Sequence, residues 1–109
     1  MAFERAMASD ELWLGEMRGL VLGGRRVLLV STERGVCAYE DRCAHLGIPL
    51  SSGRFEGGRI TCSAHQFQYD ACTGHGVRPE NVRLVPLPLR VEGAHILVDV
   101  SRDDEDGAP

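Results

Sequence analysis

The chain contains no lysine; all twelve of its basic residues are arginine. That bias is compositional and assigns no function. Against sixteen acidic residues the formal net charge is −4. This argues against a nucleic-acid partner, because phosphate binding needs a basic surface. Long apolar runs are also missing. The longest centres on Val27–Val30, far short of the roughly 20 residues that cross a bilayer. The N-terminal MAFERAMASD lacks the apolar stretch of a secretory signal. A soluble, cytoplasmic protein with no membrane partner is therefore expected. Aromatics are few, with a single tryptophan, Trp13, expected as a core anchor.

Helical periodicity is absent too. Short runs separated by turn residues, with thirteen glycines and five prolines, predict an all-β chain of small antiparallel sheets. Residues 3–8 read as a first strand. Ser9–Leu12 read as a turn or one helical turn capped by Ser9 or Asp10. Gly23-Gly24 reads as a hairpin turn between Met17–Leu22 and Arg25–Ser31. Val36–Glu40 alternates as a strand, which places Cys37 in the core. Arg59–Thr61 and Gln66–Tyr69 read as strands around a second turn-rich segment. Pro86 and Pro88 keep Leu84–Leu89 extended. Leu87–Val91 and His95–Val100 read as a closing hairpin. At 109 residues the chain fits one domain, expected over 1–100. The acidic stretch 101–109 is expected to be a disordered tail.

Two of the four cysteines have histidines beside them. Cys43-Ala-His45 is followed, after sixteen residues, by Cys62-Ser-Ala-His65. Each half offers one thiolate and one imidazole in turn-rich sequence. Cys43, His45, Cys62 and His65 are thus candidate metal ligands. Two chemistries use this donor set. One is a [2Fe–2S] cluster with two histidines on one iron. The other is a structural zinc ion held by two cysteines and two histidines, in a binding module without a redox role. Zinc sites more often pair like with like, so the order C-x-H and C-x-x-H favours iron–sulfur.

The charge balance explains the histidines. Two thiolates and two neutral imidazoles leave an oxidised cluster neutral, whereas four thiolates leave it a dianion. A neutral centre accepts an electron more readily. Potentials of the mixed-ligand class run from roughly −150 to +300 mV, against about −400 mV for plant-type four-cysteine ferredoxins.

These motifs resemble those of Rieske ferredoxins, and the likeness extends from Phe3 to about Val100. The stretches Leu12–Met17, Phe55–Cys62 and Thr73–Gly76 are most similar to the ferredoxin component of toluene (aromatic) monooxygenase systems. The resemblance implies a Rieske fold with a cluster-binding subdomain of two loops over about 42–80. It implies that Cys43 and Cys62 bind one iron and that His45 and His65 bind the other at an exposed tip. It implies an electron carrier, not an enzyme. The expected partners are an NADH-dependent flavin and iron–sulfur reductase and the diiron hydroxylase of an oxygenase. Service to a Rieske ring-hydroxylating dioxygenase, or as the small subunit of a nitrite reductase, is the alternative within the same chemistry.

One departure bears on the potential. Respiratory Rieske proteins carry a further cysteine in each ligand loop and a Gly-Ser after the second histidine. Ile48, Ala64 and Gln66-Phe67 stand in those places here. Fewer hydrogen bonds to sulfur imply a potential in the lower part of the class range.

Other residues receive blander readings. Phe67 and Tyr69 are expected to pack beneath the cluster, and the Arg78-Pro79 loop to cover it. Cys72 is expected as a thiol near the surface, and His75 and His95 as non-ligands.

Overall fold

The computed structural model describes residues 3–43, 48–63 and 67–101. The candidate ligands His45 and His65, and residues 102–109 of the acidic tail, lie outside the described residues. Among the described residues there is no α-helix, only strands and two three-residue 3-10 turns.

Among the described residues, three antiparallel sheets make up the fold. The first contains β1 (Phe3–Ala8), β10 (Leu89–Glu92) and β11 (His95–Asp99), in the order β1-β11-β10. The second contains β2 (Met17–Leu22), β3 (Arg25–Thr32), β4 (Gly35–Glu40) and β9 (Pro86–Leu87) in sequence order. The third contains β5 (Arg54–Glu56), β6 (Arg59–Thr61), β7 (Gln68–Asp70) and β8 (Gly76–Arg78), again in sequence order.

The apolar run at 27–30 explains the layering. On β3, successive side chains point to opposite faces. Val27 and Leu29 join the core shared with the first sheet, beside Met7, Ile96 and Val98. Leu28 and Val30 join the core shared with the third sheet, beside Tyr39, Ile60 and Tyr69. A strand covered on both faces reads as a continuous apolar run, not an alternation. The flanking two-residue turn at Gly23-Gly24 sets the β2–β3 register, with Leu22 opposite Arg25.

Three expectations are corrected. Trp13 is not a core anchor; it is 71% exposed, while Leu12 beside it is buried. Its indole Nε1 donates to the Asp10 carbonyl at 3.1 Å, which holds the ring over the surface turn. The cap of the 3-10 turn Ser9–Glu11 is Ala8, not Ser9 or Asp10, and the Ala8 N–H donates to the Glu11 carboxylate at 3.3 Å. The path Leu87–Val91 is not one strand. Pro88 divides it, so Leu87 pairs with Ala38 of β4 whereas Leu89 pairs with Val98 of β11. The chain thereby crosses from the second sheet to the first.

Candidate metal centre

Strand β4 delivers the chain to Cys43, and β6 delivers it to Cys62. Both cysteines are buried, each 1% exposed. The two segments then close in the same way. The Cys43 N–H donates to the Ile48 carbonyl at 2.7 Å, and the Cys62 N–H donates to the Phe67 carbonyl at 2.8 Å. Each bond spans five residues and puts a cysteine at the foot of a closed loop. His45 and His65 belong to the segments so closed, outside the described residues.

Further bonds hold the first loop. Asp41 is buried just ahead of Cys43. Its carboxylate accepts from the Ser51 N–H at 2.9 Å and from the Ser51 hydroxyl at 2.6 Å. These bonds tie residues on either side of the loop. Hydrogen bonds to a buried carboxylate are among the stronger ones available.

The two loops are joined at their bases. The hydroxyls of Ser52 and Ser63 lie 3.3 Å apart. Gly53 approaches so closely that a Cβ there would overlap the Thr61 carbonyl oxygen. Only glycine fits. The hairpin β5–β6 turns at Gly57-Gly58, both with positive φ (58° and 79°), as a two-residue turn of this hand requires. This returns the chain to Cys62.

Cys43, Cys62, Leu50, Ile60 and Tyr69 share one core. Tyr69, fully buried, directs its hydroxyl at Cys43 Sγ, 3.1 Å away. The sequence predicts a packing role for Tyr69. The packing is present, and the hydrogen bond was missed. Its signal, a tyrosine instead of a phenylalanine at a buried strand position, is real but weak. Phe67 is half-buried against the same core.

The remaining candidates lie elsewhere. His75 and His95 are exposed. His95 Nδ1 accepts from Arg5 Nε at 2.8 Å, which occupies it away from the loops. Cys37, packed against the same core as Phe67, and Cys72 are half-buried. No cysteine of the chain is in a disulfide. Among the described residues, no group of three or more histidine, cysteine or acidic side chains gathers as a metal site. No helix among them is long and apolar enough to cross a membrane.

Two buried thiols, each at the foot of a segment closed by the same hydrogen bond and one with a hydroxyl aimed at its sulfur, suit a centre built on thiolate ligands. Iron–sulfur clusters take thiolates, and hydrogen bonds to the sulfurs tune them. The fold and this site define a small iron–sulfur protein. Comparison with known proteins fixes which kind. Residues 3–88 match the family model described as Rieske [2Fe-2S] domain. The ferredoxin component of the alkene monooxygenase system of Xanthobacter autotrophicus is 40% identical over 92 residues, covering 84% of this chain and 75% of that protein. The ferredoxin component of the naphthalene 1,2-dioxygenase system of Pseudomonas aeruginosa is 30% identical over 97 residues, covering 88% of this chain and 93% of that protein. Among solved structures, the ferredoxin of carbazole 1,9a-dioxygenase from Nocardioides aromaticivorans superposes with a TM-score of 0.79. It is 26% identical, and the match covers 90% of this chain and 97% of that one.

The chain belongs to the Rieske [2Fe–2S] domain family. It carries one Rieske-type cluster and is an electron carrier of the kind found in oxygenase systems, not a catalytic subunit. The zinc reading is set aside by that membership.

Proposed function

We propose that this protein passes single electrons from an NADH-dependent flavin reductase to the diiron hydroxylase of an aromatic or alkene monooxygenase. In this reading Cys43 and Cys62 hold one iron, and His45 and His65 hold the other. The observation that carries it is the pair of buried cysteines at the feet of two loops closed by the same hydrogen bond. When bound, the cluster supplies a site that takes up and gives back one electron.

The protein's own groups supply the rest. The core of Leu50, Ile60 and Tyr69 helps to hold the thiols out of water. The Asp41–Ser51 bonds tie together the residues that flank the first loop. The Tyr69 hydroxyl, facing a deprotonated ligand sulfur, donates its proton to the hydrogen bond. That donation withdraws charge from the sulfur and favours the reduced state. The single domain over 1–100, the cluster-binding part over about 42–80, the acidic tail 101–109 and a cytoplasmic location belong to the same reading. So does a potential in the lower part of the class range.

The relative at 40% identity is named for an alkene monooxygenase system, which supports a monooxygenase partner. The dioxygenase ferredoxins at 30% and 26% identity favour a second reading, service to a ring-hydroxylating dioxygenase. Reconstitution separates the two. NADH-driven turnover is measured with a toluene- or alkene-type diiron hydroxylase and, in parallel, with a ring-hydroxylating dioxygenase. Turnover with the diiron enzyme is expected. Turnover with the dioxygenase alone would overturn the assignment of the partner.

A further inference from the structure

Two thiols stand outside the ligand loops and are used by nothing described so far. Cys37 lies on β4. Cys72 lies in the turn that follows β7. The sulfur of Cys37 is 3.9 Å from the carbonyl oxygen of Cys72. Both cysteines line one groove, with Tyr39, Thr73 and Leu87. Cys72 also borders a second groove, beside Phe55 and Gly58.

The two backbones are held in register at this point. Tyr39, two residues along β4 and on the same face as Cys37, donates its hydroxyl to the Ala71 carbonyl at 2.8 Å. Thus Cys37 and Tyr39 bond adjacent carbonyls of the same turn. The turn itself is fixed by the Asp70 carboxylate, which accepts from the N–H groups of Cys72 and Thr73 at 2.8 and 3.2 Å. These bonds hold the backbone of Cys72 beside the Cys37 side chain.

We propose that Cys37 and Cys72 form a redox-active dithiol that a peroxide closes into a disulfide. Cys72, which borders both grooves, reacts first. Its thiolate attacks one peroxide oxygen, the O–O bond breaks, and a sulfenic acid forms as hydroxide leaves. The sulfur of Cys37 then attacks the sulfenic sulfur. The S–S bond forms, the S–O bond breaks, and the departing oxygen leaves as water with the Cys37 proton. In sum, two thiols and one hydrogen peroxide give one disulfide and two waters, and the sulfurs supply both electrons. Burial pushes the Cys37 thiol above its ordinary value, which disfavours its thiolate and so its attack as the first nucleophile. A disulfide in a reducing compartment is of the transient, redox-sensing sort.

The bridge has a structural consequence. It ties the second sheet to the third, and the closed segment 37–72 contains Cys43, His45, Cys62 and His65. A cross-link of this kind constrains the unfolded state. The bridged form therefore keeps the two loops together when the cluster is lost. The bridge itself does not depend on the ligand assignment.

The test uses the holoprotein. It is treated with hydrogen peroxide, denatured in N-ethylmaleimide and digested with trypsin. The expected result is the loss of two alkylatable thiols per chain and a cross-linked pair of peptides, 35–42 with 60–83, reversed by dithiothreitol. Cys62 in that second peptide is alkylated. Full alkylation of Cys37 and Cys72 would overturn the proposal, as would sulfinic acid at Cys72 without a bridge, or a bridge to Cys43 or Cys62. Cys37→Ser and Cys72→Ser should each abolish the cross-link and keep the visible spectrum. A bridge that survives either change contradicts the pairing. Against a chelator, the bridged holoprotein should lose its visible absorbance more slowly than the dithiol form. Equal rates contradict the retaining role.

Discussion

The hydroxyl of Tyr69 lies 3.1 Å from the sulfur of Cys43, and both groups are buried. A hydrogen bond to a ligand sulfur stabilises the electron-rich state more than the oxidised one. Tyr69→Phe removes that bond and keeps the ring that fills the core. A difference of about 1 kcal/mol between the two states corresponds to a potential lower by on the order of 50 mV. Voltammetry of the variant should show that drop with the cluster spectrum intact. An unchanged midpoint would mean that the bond does not reach the cluster.

Gly53→Ala tests how the loops meet. Its Cβ would overlap the Thr61 carbonyl, a backbone atom that cannot swing aside. The substitution should cost about 2–3 kcal/mol, as overpacking does. It should also reduce cluster content, because the strain falls between the two loops. Thermal denaturation and iron analysis check both effects. A variant as stable and as fully loaded as the parent would refute the close approach.

Tyr39 gives the stability a pH dependence. Burial, foremost, and the nearby Cys37 push its hydroxyl well above the ordinary value of 10.0. Above that ordinary value the unfolded chain loses the proton and the folded chain keeps it. The unfolded state then binds fewer protons, so folding stability falls as the pH rises. Below it the stability is fully present. Tyr39→Phe should cost about 1 kcal/mol at neutral pH, from the lost bond to Ala71. The variant should also lose less stability between neutral pH and strongly alkaline pH. Denaturant titrations across that range measure the slope, and equal slopes in both proteins would count against the burial of this hydroxyl.

Leu12 and Trp13 are neighbours with opposite fates, buried and 71% exposed. Leu12→Ala should cost about 3 kcal/mol. Trp13→Ala should change stability by no more than about 0.5 kcal/mol. The reverse order of melting temperatures would restore the tryptophan to the core.

Much of the architecture was readable from local signals. The paired glycines at 23–24 marked a hairpin turn, and it is present. The strand read over Arg25–Ser31 is present, and its apolar run at 27–30 is buried. What local signals could not supply was side. Leu12 and Trp13 are both apolar, and only the packing of the first sheet decides which of them turns inward. Pro88 was read only as keeping its segment extended, within one strand. That the chain changes sheets there depends on β4 and β11, which are remote in sequence. The ligand cysteines were legible because their spacing is a matter of chemistry. The Tyr69–Cys43 bond was not, because it joins residues on different segments through the fold.

The central claim is a [2Fe–2S] cluster with two thiolate and two imidazole ligands. Pulsed electron paramagnetic resonance on the dithionite-reduced holoprotein, with its histidines labelled with nitrogen-15, tests it most directly. Two strongly coupled imidazole nitrogens are predicted, together with loss of the cluster in His45→Ala and in His65→Ala. A reduced cluster without coupled nitrogen, or one that survives either substitution, would contradict the assignment.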